Sequence, residues 1–465
     1  MRILQVVHNY MPYGAYGGVE VSTENLCREL SKSHEIQIFC RGGTYFKKRS
    51  AETSEIYNGL QVKRIFFHDD VNFQGSFGKN LAEKAFKKLI AKMKPDVIHF
   101  QHLIGLSPDF ISIAKMSGIP TVLHLHDYWY LCPNIKLLFA NTEPCEGPGD
   151  LSRCVLCQQA GGFEEPRSSL ILSDLLKIFM PGPFAHKIAE NRRFRTLKRV
   201  RNLGCNLEVQ RSRNRQTISL DNLRTRNQTV RETLQEVDVI IANSDFVRKK
   251  YVEWGLPASK VHKVYFGHDF SYIKALPKKR TDGVKFGYLG DLTIPKGVDI
   301  LIKAFSQLKD HRSSLSLHGD CEPEFSSYLR SLAGGENVRF EGRYSPVQLS
   351  EIFSNIDVLV VPSIWQEAYG LVISEAFMAK VPVVASRVGG IPEHVVHGVN
   401  GLLFEPGNVE QLIGHMQRIV GEPDLLGHLK LGITPPKTIQ EYAQEIERIY
   451  YSLQECACRP VNTCC

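Results

Sequence analysis

No apolar run in this 465-residue sequence reaches the roughly 20 residues needed to cross a bilayer, which argues against a helical membrane protein. The opening stretch, MRILQVVHNY, has one basic residue and an apolar core of only five. That is too short for a secretory signal and reads as a buried first strand, so the expected location is the cytoplasm. No short-period repeat is visible, which disfavours solenoids and propellers. Acidic excess is also lacking: 57 Lys and Arg stand against 49 Asp and Glu, a net charge of +8. With 43% hydrophobic and 23% charged residues, the composition is that of a globular protein, and the length allows two or three domains with full cores.

The positive excess is concentrated. Between Arg192 and Arg231 lie twelve Lys or Arg against two acids, Glu208 and Asp221. Such a block suits polyanions, such as nucleic acid, anionic lipid headgroups or phosphorylated intermediates; a solvated basic helix is the plainer alternative. The twelve cysteines also cluster. Cys27, Cys40, Cys205 and Cys321 are scattered, whereas Cys132, Cys145, Cys154 and Cys157 lie close together and Cys456, Cys458, Cys464 and Cys465 crowd the end. In a cytosolic chain disulfides are the less favoured use of either group. Cys132-x12-Cys145-x8-Cys154-x2-Cys157 contains one Cys-x2-Cys knuckle. Four thiolates there suit a tetrahedral, structural zinc site; buried unbridged thiols are the equal alternative.

Short β-rich apolar runs alternate with amphipathic stretches. Strands are expected at Ile3–Val7, Glu35–Phe39, Val62–Phe66, Val97–Phe100, Thr121–His126, Val237–Ala242 and His262–Tyr265. A second series runs through Lys285–Leu289, Ser314–His318, Val338–Glu341, Val358–Val361 and Val381–Ala385. Helices are expected at Val19–Leu30, Gly297–Leu308, Val372–Ala379 and Thr438–Leu453. This alternation predicts an α/β protein with two parallel sheets, each covered by helices. Ala275–Gly283, with a proline and three basic residues, reads as the linker. The expected domains are 1–275, with an insertion at about 127–235 where the strand series lapses, and 276–435. A helix over 436–455 and a Cys-rich tail over 456–465 follow.

The chemistry concentrates in Val361–Pro406. A buried strand ends at Pro362–Ser363, a loop follows, and a helix opens near Leu371. Ligands of open α/β sheets bind at the carboxyl ends of strands, and a helix N-terminus there offers N–H groups and a positive dipole end to phosphate. Glu367 in the loop and Glu375 in the helix are placed to reach one cleft, and carboxylates accept from the hydroxyls of sugar and ribose. The next strand ends in Gly389-Gly-Ile-Pro-Glu393, where two glycines let backbone approach a phosphate.

Singly these features are weak. In order, Pro362-Ser-Ile-Trp-Gln-Glu-Ala-Tyr-Gly-Leu-Val-Ile-Ser-Glu-Ala376, then Val381-Pro-Val-Val-Ala-Ser386, then Gly389-Gly-Ile-Pro-Glu393 resemble the retaining glycosyltransferases of family four, of GT-B fold. Glu367 and Glu375 meet the Glu-x7-Glu signature. Gly17–Gly18 resembles that family's glycine loop, and Lys296–Gly297 its Lys-Gly motif. Leu123-His-Leu-His-Asp-Tyr-Trp129 resembles a subgroup with a His-Asp-Tyr-Trp, Cys-Pro and Cys-x2-Cys insertion. The resemblance implies two Rossmann-like, doubly wound domains facing a central cleft, the first for acceptor and the second for donor, with the last helix crossing back onto the first.

It also implies roles. Lys296 neutralises the leaving nucleoside diphosphate, Glu375 holds the ribose hydroxyls, and Glu367 and His126 contact the donor sugar. Gly17, Gly18, Gly370, Leu371, Gly389 and Gly390 line the donor. Catalysis is implied to need no metal cofactor. One departure stands out: Asp291 occupies a position where the family often has Arg, so either Asp291 turns away from the diphosphate or another cation compensates, with Arg343 preferred over Arg387. The implied partners are a UDP- or GDP-linked sugar and a glycan or lipid-linked acceptor. The basic block is then a peripheral contact with anionic membrane, and no nucleic acid is expected. The implied activity is sugar transfer with retention in cell-surface polysaccharide or glycoconjugate synthesis. The rivals are a GT-B-like sugar-nucleotide epimerase, betrayed by acceptor-independent conversion, and a non-enzymatic polyanion binder, betrayed by salt-sensitive nucleic-acid binding. His8, His99 and His102, at strand ends, read as structural.

Overall fold

A computed structural model of the chain describes residues 1–12, 17–42, 51–66, 82–161, 218–274, 276, 282–335 and 337–457. Two compact units emerge. One comprises residues 1–27, 31–121 and 150–237, the other 28–30, 122–149 and 238–465.

In the first unit, β1 (Arg2–Val7), β2 (Glu35–Arg41), β3 (Ala51–Tyr57), β4 (Leu60–Phe66) and β5 (Val97–Phe100) are ordered β5-β1-β2-β4-β3. All pair in parallel except β3, which returns antiparallel along β4. Isolated apolar runs make the central strands: β5 is buried at all four positions, as a strand covered on both faces requires. The helix Gly18–Leu30 follows β1 and the helix Ala82–Met93 precedes β5. The latter buries Ala82, Ala85, Phe86, Leu89, Ile90 and Met93, the single stripe that a 3.6-residue period produces.

The second unit takes β6 (Thr121–Leu125), a two-stranded ribbon of β7 (Leu138–Phe139) and β8 (Glu143–Pro144), then β9 (Val239–Ala242) and β10 (Val261–Lys263). β9 lies between β6 and β10, all parallel. Its larger sheet holds β11 (Lys285–Leu289), β12 (Ser314–His318), β13 (Val338–Gly342), β14 (Val358–Val361), β15 (Val383–Ser386) and β16 (Gly401–Phe404). The order is β13-β12-β11-β14-β15-β16, parallel throughout. Two apolar layers cover its faces. Ile352, Phe353, Leu359, Ile373 and Phe377 belong to one, and Leu301, Ile302, Leu315, Leu412 and Met416 to the other. The chain runs outward from β11 through β12 to β13, then returns to place β14 on β11's other side. The carboxyl ends of β11 and β14 therefore flank a topological switch point, where open α/β sheets leave a crevice.

This division differs from the one expected at 275/276. The reason is close packing between residues 238–274 and the C-terminal portion. A β-carbon on Gly267 would lie 2.1 Å from the Thr438 carbonyl oxygen. His268 and Thr438 form a β-bridge. The helix Ile439–Ala457 begins there and buries Tyr442, Ile446 and Tyr450 completely.

Candidate functional site

Glu367 follows β14, and Lys296 follows β11. Lys296 ends a short 3-10 turn, Ile294–Lys296, whose second residue, Pro295, has a fixed φ that suits a first turn. Gly297 then adopts φ +67° and caps the helix Val298–Ser306. Its left-handed backbone and tight surroundings explain the glycine: a β-carbon would sit 1.9 Å from the Pro362 carbonyl oxygen. Ile364 N donates to the Pro295 carbonyl at 3.0 Å, so the two loops are stitched together at the switch point.

That stitching brings Lys296 Nζ to 2.7 Å from Glu367 Oε1. Ser363 Oγ, at 2.8 Å, and Trp365 Nε1, at 2.7 Å, donate to the same oxygen. The Lys296 ammonium also lies 4.9 Å from the Trp365 ring centroid, within cation–π range. Glu367 is 6% exposed, so three donors offset the cost of taking its carboxylate out of water. Among the described residues no donor is placed on Oε2.

Gly389 and Gly390 act on this loop from β15. Gly389 has φ +59°, and a β-carbon there would lie 2.1 Å from the Glu367 carbonyl oxygen. Gly390 N donates to that carbonyl at 2.7 Å, and Gly389 N to Gln366 Oε1 at 3.0 Å. The glycines thus allow backbone to pack on backbone and fix the loop that carries Glu367.

Gly370 (φ +86°) caps the helix Leu371–Met378, which carries Glu375. Burial pushes the Glu375 carboxyl up to about 7, and a hydrogen bond from Tyr272 partly opposes this. The Tyr272 hydroxyl is itself pushed up, by burial first and then by the neighbouring carboxylates. Glu375 therefore exchanges its proton near neutrality.

His126 lies just beyond β6 and is 7% exposed. Its ring stacks against His124, 4.3 Å away, and against Phe266, 5.2 Å away, and those two rings lie 5.1 Å from each other. Asn243 Nδ2 donates to its carbonyl at 3.2 Å, and Tyr442 from the last helix lies 3.4 Å from His124 Nδ1. The Asp127 side chain accepts from Trp129 N at 2.8 Å, tightening the turn after β6.

The second half of the chain, residues 271–431, matches the family model for glycosyl transferases group 1. Residues 16–143 match the model for glycosyltransferase family 4. Together the two matches take in more than half of the chain. The chain belongs to the glycosyltransferases. An uncharacterized 42.6 kDa protein of the Klebsiella pneumoniae cps region is 24% identical over 84% of this chain and 87% of its own length. The Salmonella typhimurium lipopolysaccharide 1,2-N-acetylglucosaminetransferase is 29% identical over 40% of this chain and 54% of its own. An uncharacterized glycosyltransferase of Methanocaldococcus jannaschii is 28% identical over 41% and 52%. The chain thus spans about half the length of the latter two. Among solved structures, Anabaena HepE in complex with UDP and glucose superposes with a TM-score of 0.59 at 16% identity, covering 97% of this chain and 99% of that one. WaaG, a glycosyltransferase involved in lipopolysaccharide biosynthesis, gives 0.56 at 15%, covering 98% of each. The GT-B fold expected from the sequence is thereby established.

Other expected residues of this glycosyltransferase fall as follows. Gly18 opens the helix Gly18–Leu30, and a β-carbon on Gly17 would lie 2.7 Å from Glu20 Oε2. Glu20 in turn pairs with His8 at 3.2 Å. Tyr13–Tyr16, within the same loop, lie outside the described residues. Asp291 is exposed, and its backbone carbonyl accepts from Tyr288 at 2.8 Å. Arg343 pairs with Asp320 and Arg387 with Glu405. Cys132, Cys145, Cys154 and Cys157 are thiols, the latter two on the helix Leu151–Gly161. Among the described residues, no three His, Cys, Asp or Glu side chains are grouped to hold a metal ion. Residues 192–217 of the basic block and the tail from 458 lie outside the described residues. The block's remainder is the helix Leu220–Gln235, where Arg226 is fully buried while Arg224 and Arg231 are exposed. Among the described residues no helix is long and apolar enough to cross a membrane.

Sequence reasoning missed two further features. Tyr272 precedes the expected linker and carried no motif. Glu393 read only as the end of Gly-Gly-Ile-Pro-Glu. It accepts from Asp245 N at 2.8 Å, Phe246 N at 2.9 Å and Tyr265 Oη at 2.8 Å. Two of these are otherwise orphaned donors at the start of the helix Asp245–Glu253.

Proposed function

We propose that this enzyme transfers a sugar from a nucleotide-sugar donor to a glycan or lipid-linked acceptor, with retention at the anomeric carbon. The observation that carries the reading is the meeting of Lys296 and Glu367 at the β11/β14 switch point, with Glu375 on the helix that follows. Lys296 holds the ammonium that neutralises the departing diphosphate. The N-terminus of Leu371–Met378 adds a positive dipole end, and electrostatic stabilisation of the leaving group is the main catalytic contribution. No metal is required on this reading. Glu375 accepts from the ribose hydroxyls. Glu367, with one oxygen fixed by three donors, turns the other toward the sugar, and His126 bounds the sugar pocket. Residues 276–435 hold the donor, and residues 1–275 receive the acceptor.

UDP and GDP are the nucleotides to consider, and UDP has support from the complex formed by HepE. The Salmonella and Klebsiella relatives support cell-surface polysaccharide synthesis, and the place we propose for it is the cytoplasmic face of the membrane. There Arg192–Arg231 would dock the enzyme on anionic lipid. The test is the configuration of the transferred sugar, read by NMR of the product. The donor's configuration should persist. Inversion, or conversion of the donor without acceptor, would contradict the proposal.

A further inference from the structure

An imidazole donates and accepts hydrogen bonds near the plane of its ring. Rotation about either side-chain bond of His126 therefore sweeps those directions away from a fixed hydroxyl. A position just past the end of β6 does not by itself hold the ring at one angle. Its neighbours do.

Phe266, which follows β10, supplies the flat face. Its ring lies 5.2 Å from that of His126 at 24° and 5.1 Å from that of His124 at 11°. The two histidine rings lie 4.3 Å apart at 28°. Three nearly parallel rings in mutual contact leave the His126 imidazole little room to turn, and His126 and Phe266 are both buried.

Phe266 is fixed in turn from two further elements. Tyr369 and Tyr442 meet its ring edge-on, at 5.2 Å and 80° and at 5.9 Å and 76°, the arrangement that sets a positive ring edge toward a negative face. Tyr369 Oη also donates to the Phe266 carbonyl at 3.0 Å. The next residue, Gly267, packs its backbone directly on the Thr438 carbonyl. Tyr369 stands two residues after Glu367 and just before Gly370, so the loop that presents Glu367 also holds Phe266. Plain core filling asks only for apolar volume at position 266, which leucine would give. Holding a ring at a set angle asks for a flat face.

We infer that Phe266 is a positioning residue for the donor sugar, acting through His126: it sets the angle of the His126 ring and ties that ring, by way of Tyr369, to the loop of Glu367. The inference rests on the proposal that His126 and Glu367 face that sugar.

Calorimetry of the full chain tests this, with UDP-glucose, UDP-N-acetylglucosamine and GDP-mannose as probes and UDP and GDP as controls. For the sugar nucleotide that wild type binds, F266L should weaken affinity about three- to tenfold, as loss of one hydrogen bond does. Affinity for the matching nucleoside diphosphate should hold, because Lys296 and Glu375 are left in place. Since Phe266 acts through His126, the double variant F266L/H126A should bind the sugar nucleotide no more weakly than H126A alone. Should F266L melt well below wild type, F266M, whose side chain adapts more readily to a core, is read in the same way. Unchanged sugar-nucleotide affinity overturns the inference, as does equal weakening of sugar nucleotide and diphosphate, or losses that add in the double variant. If H126A binds the sugar nucleotide as wild type does, or wild type binds none of the three, the donor-site reading fails first and this inference with it.

Discussion

Glu375 gives the site a pH dependence whose sign is fixed. Its carboxyl is pushed from 4.5 up to about 7 in the folded chain, mainly by burial. Between those values the folded state holds a proton that the unfolded state has lost. Raising pH across that interval therefore lowers stability, and above about 7 the effect is complete. Donor binding shows the opposite trend if ribose hydroxyls donate to the carboxylate. Affinity should climb by up to tenfold per pH unit toward about 7 and then level off. Titration calorimetry from pH 5.5 to 8.5 checks this, and E375Q should flatten the profile. His268 and His394 do not complicate that range. Burial holds both down to about 4, so they stay neutral. None of this was legible residue by residue. The Glu-x7-Glu spacing marked Glu367 and Glu375, but the Tyr272 hydroxyl comes from another stretch of sequence. Only folding brings it near.

At the scale of elements, the glycine turn after β15 does more than spare room for a ligand. It supports the Glu367 loop, and that support can be tested separately from ligand binding. A β-carbon on Gly389 meets both the nitrogen and the carbonyl oxygen of Glu367, at 2.6 and 2.1 Å, on a backbone already at φ +59°. G389A should therefore cost about 3 kcal/mol, in line with other clashes at positive φ, and displace Glu367. Denaturant unfolding measures the first effect and loss of donor affinity the second. A variant as stable as wild type would show that the loop accommodates the methyl group.

Element recognition from sequence followed burial. β5, β11, β12 and β14 sit at the expected residues because each is a compact apolar run between turn residues. β3 went unseen: Ala-Glu-Thr-Ser-Glu-Ile-Tyr is polar, and its acids pair with Lys63 and Arg64 on β4. β16 was hidden by Gly401, whose β-carbon would lie 2.2 Å from the Val383 carbonyl oxygen. That glycine reads as a turn in isolation and serves as a close strand contact in the sheet. The cap supplied by Glu393 was equally hidden, since its partners lie 148 and 147 residues away.

For the whole molecule, alternating strands and helices were enough to indicate an α/β protein, and the ordered motifs pointed to GT-B. The division into compact units was not legible. It depends on where the last helix packs, and Gly267 and Tyr442 fix that through contacts no local pattern displays. Function sits on the same scale, because Lys296 and Glu367 are 71 residues apart and meet only where the strand order reverses. The most direct test of that meeting is a thermal shift of the full chain with UDP- and GDP-linked sugars, for wild type beside K296A and E375A. A donor at a hundred times its Kd stabilises the folded state by about 2.7 kcal/mol, enough to raise Tm by a few degrees. The account predicts such a rise for at least one donor in wild type, and a much smaller one in both variants at the same concentration. No rise with any donor, or an undiminished rise in the variants, would contradict it.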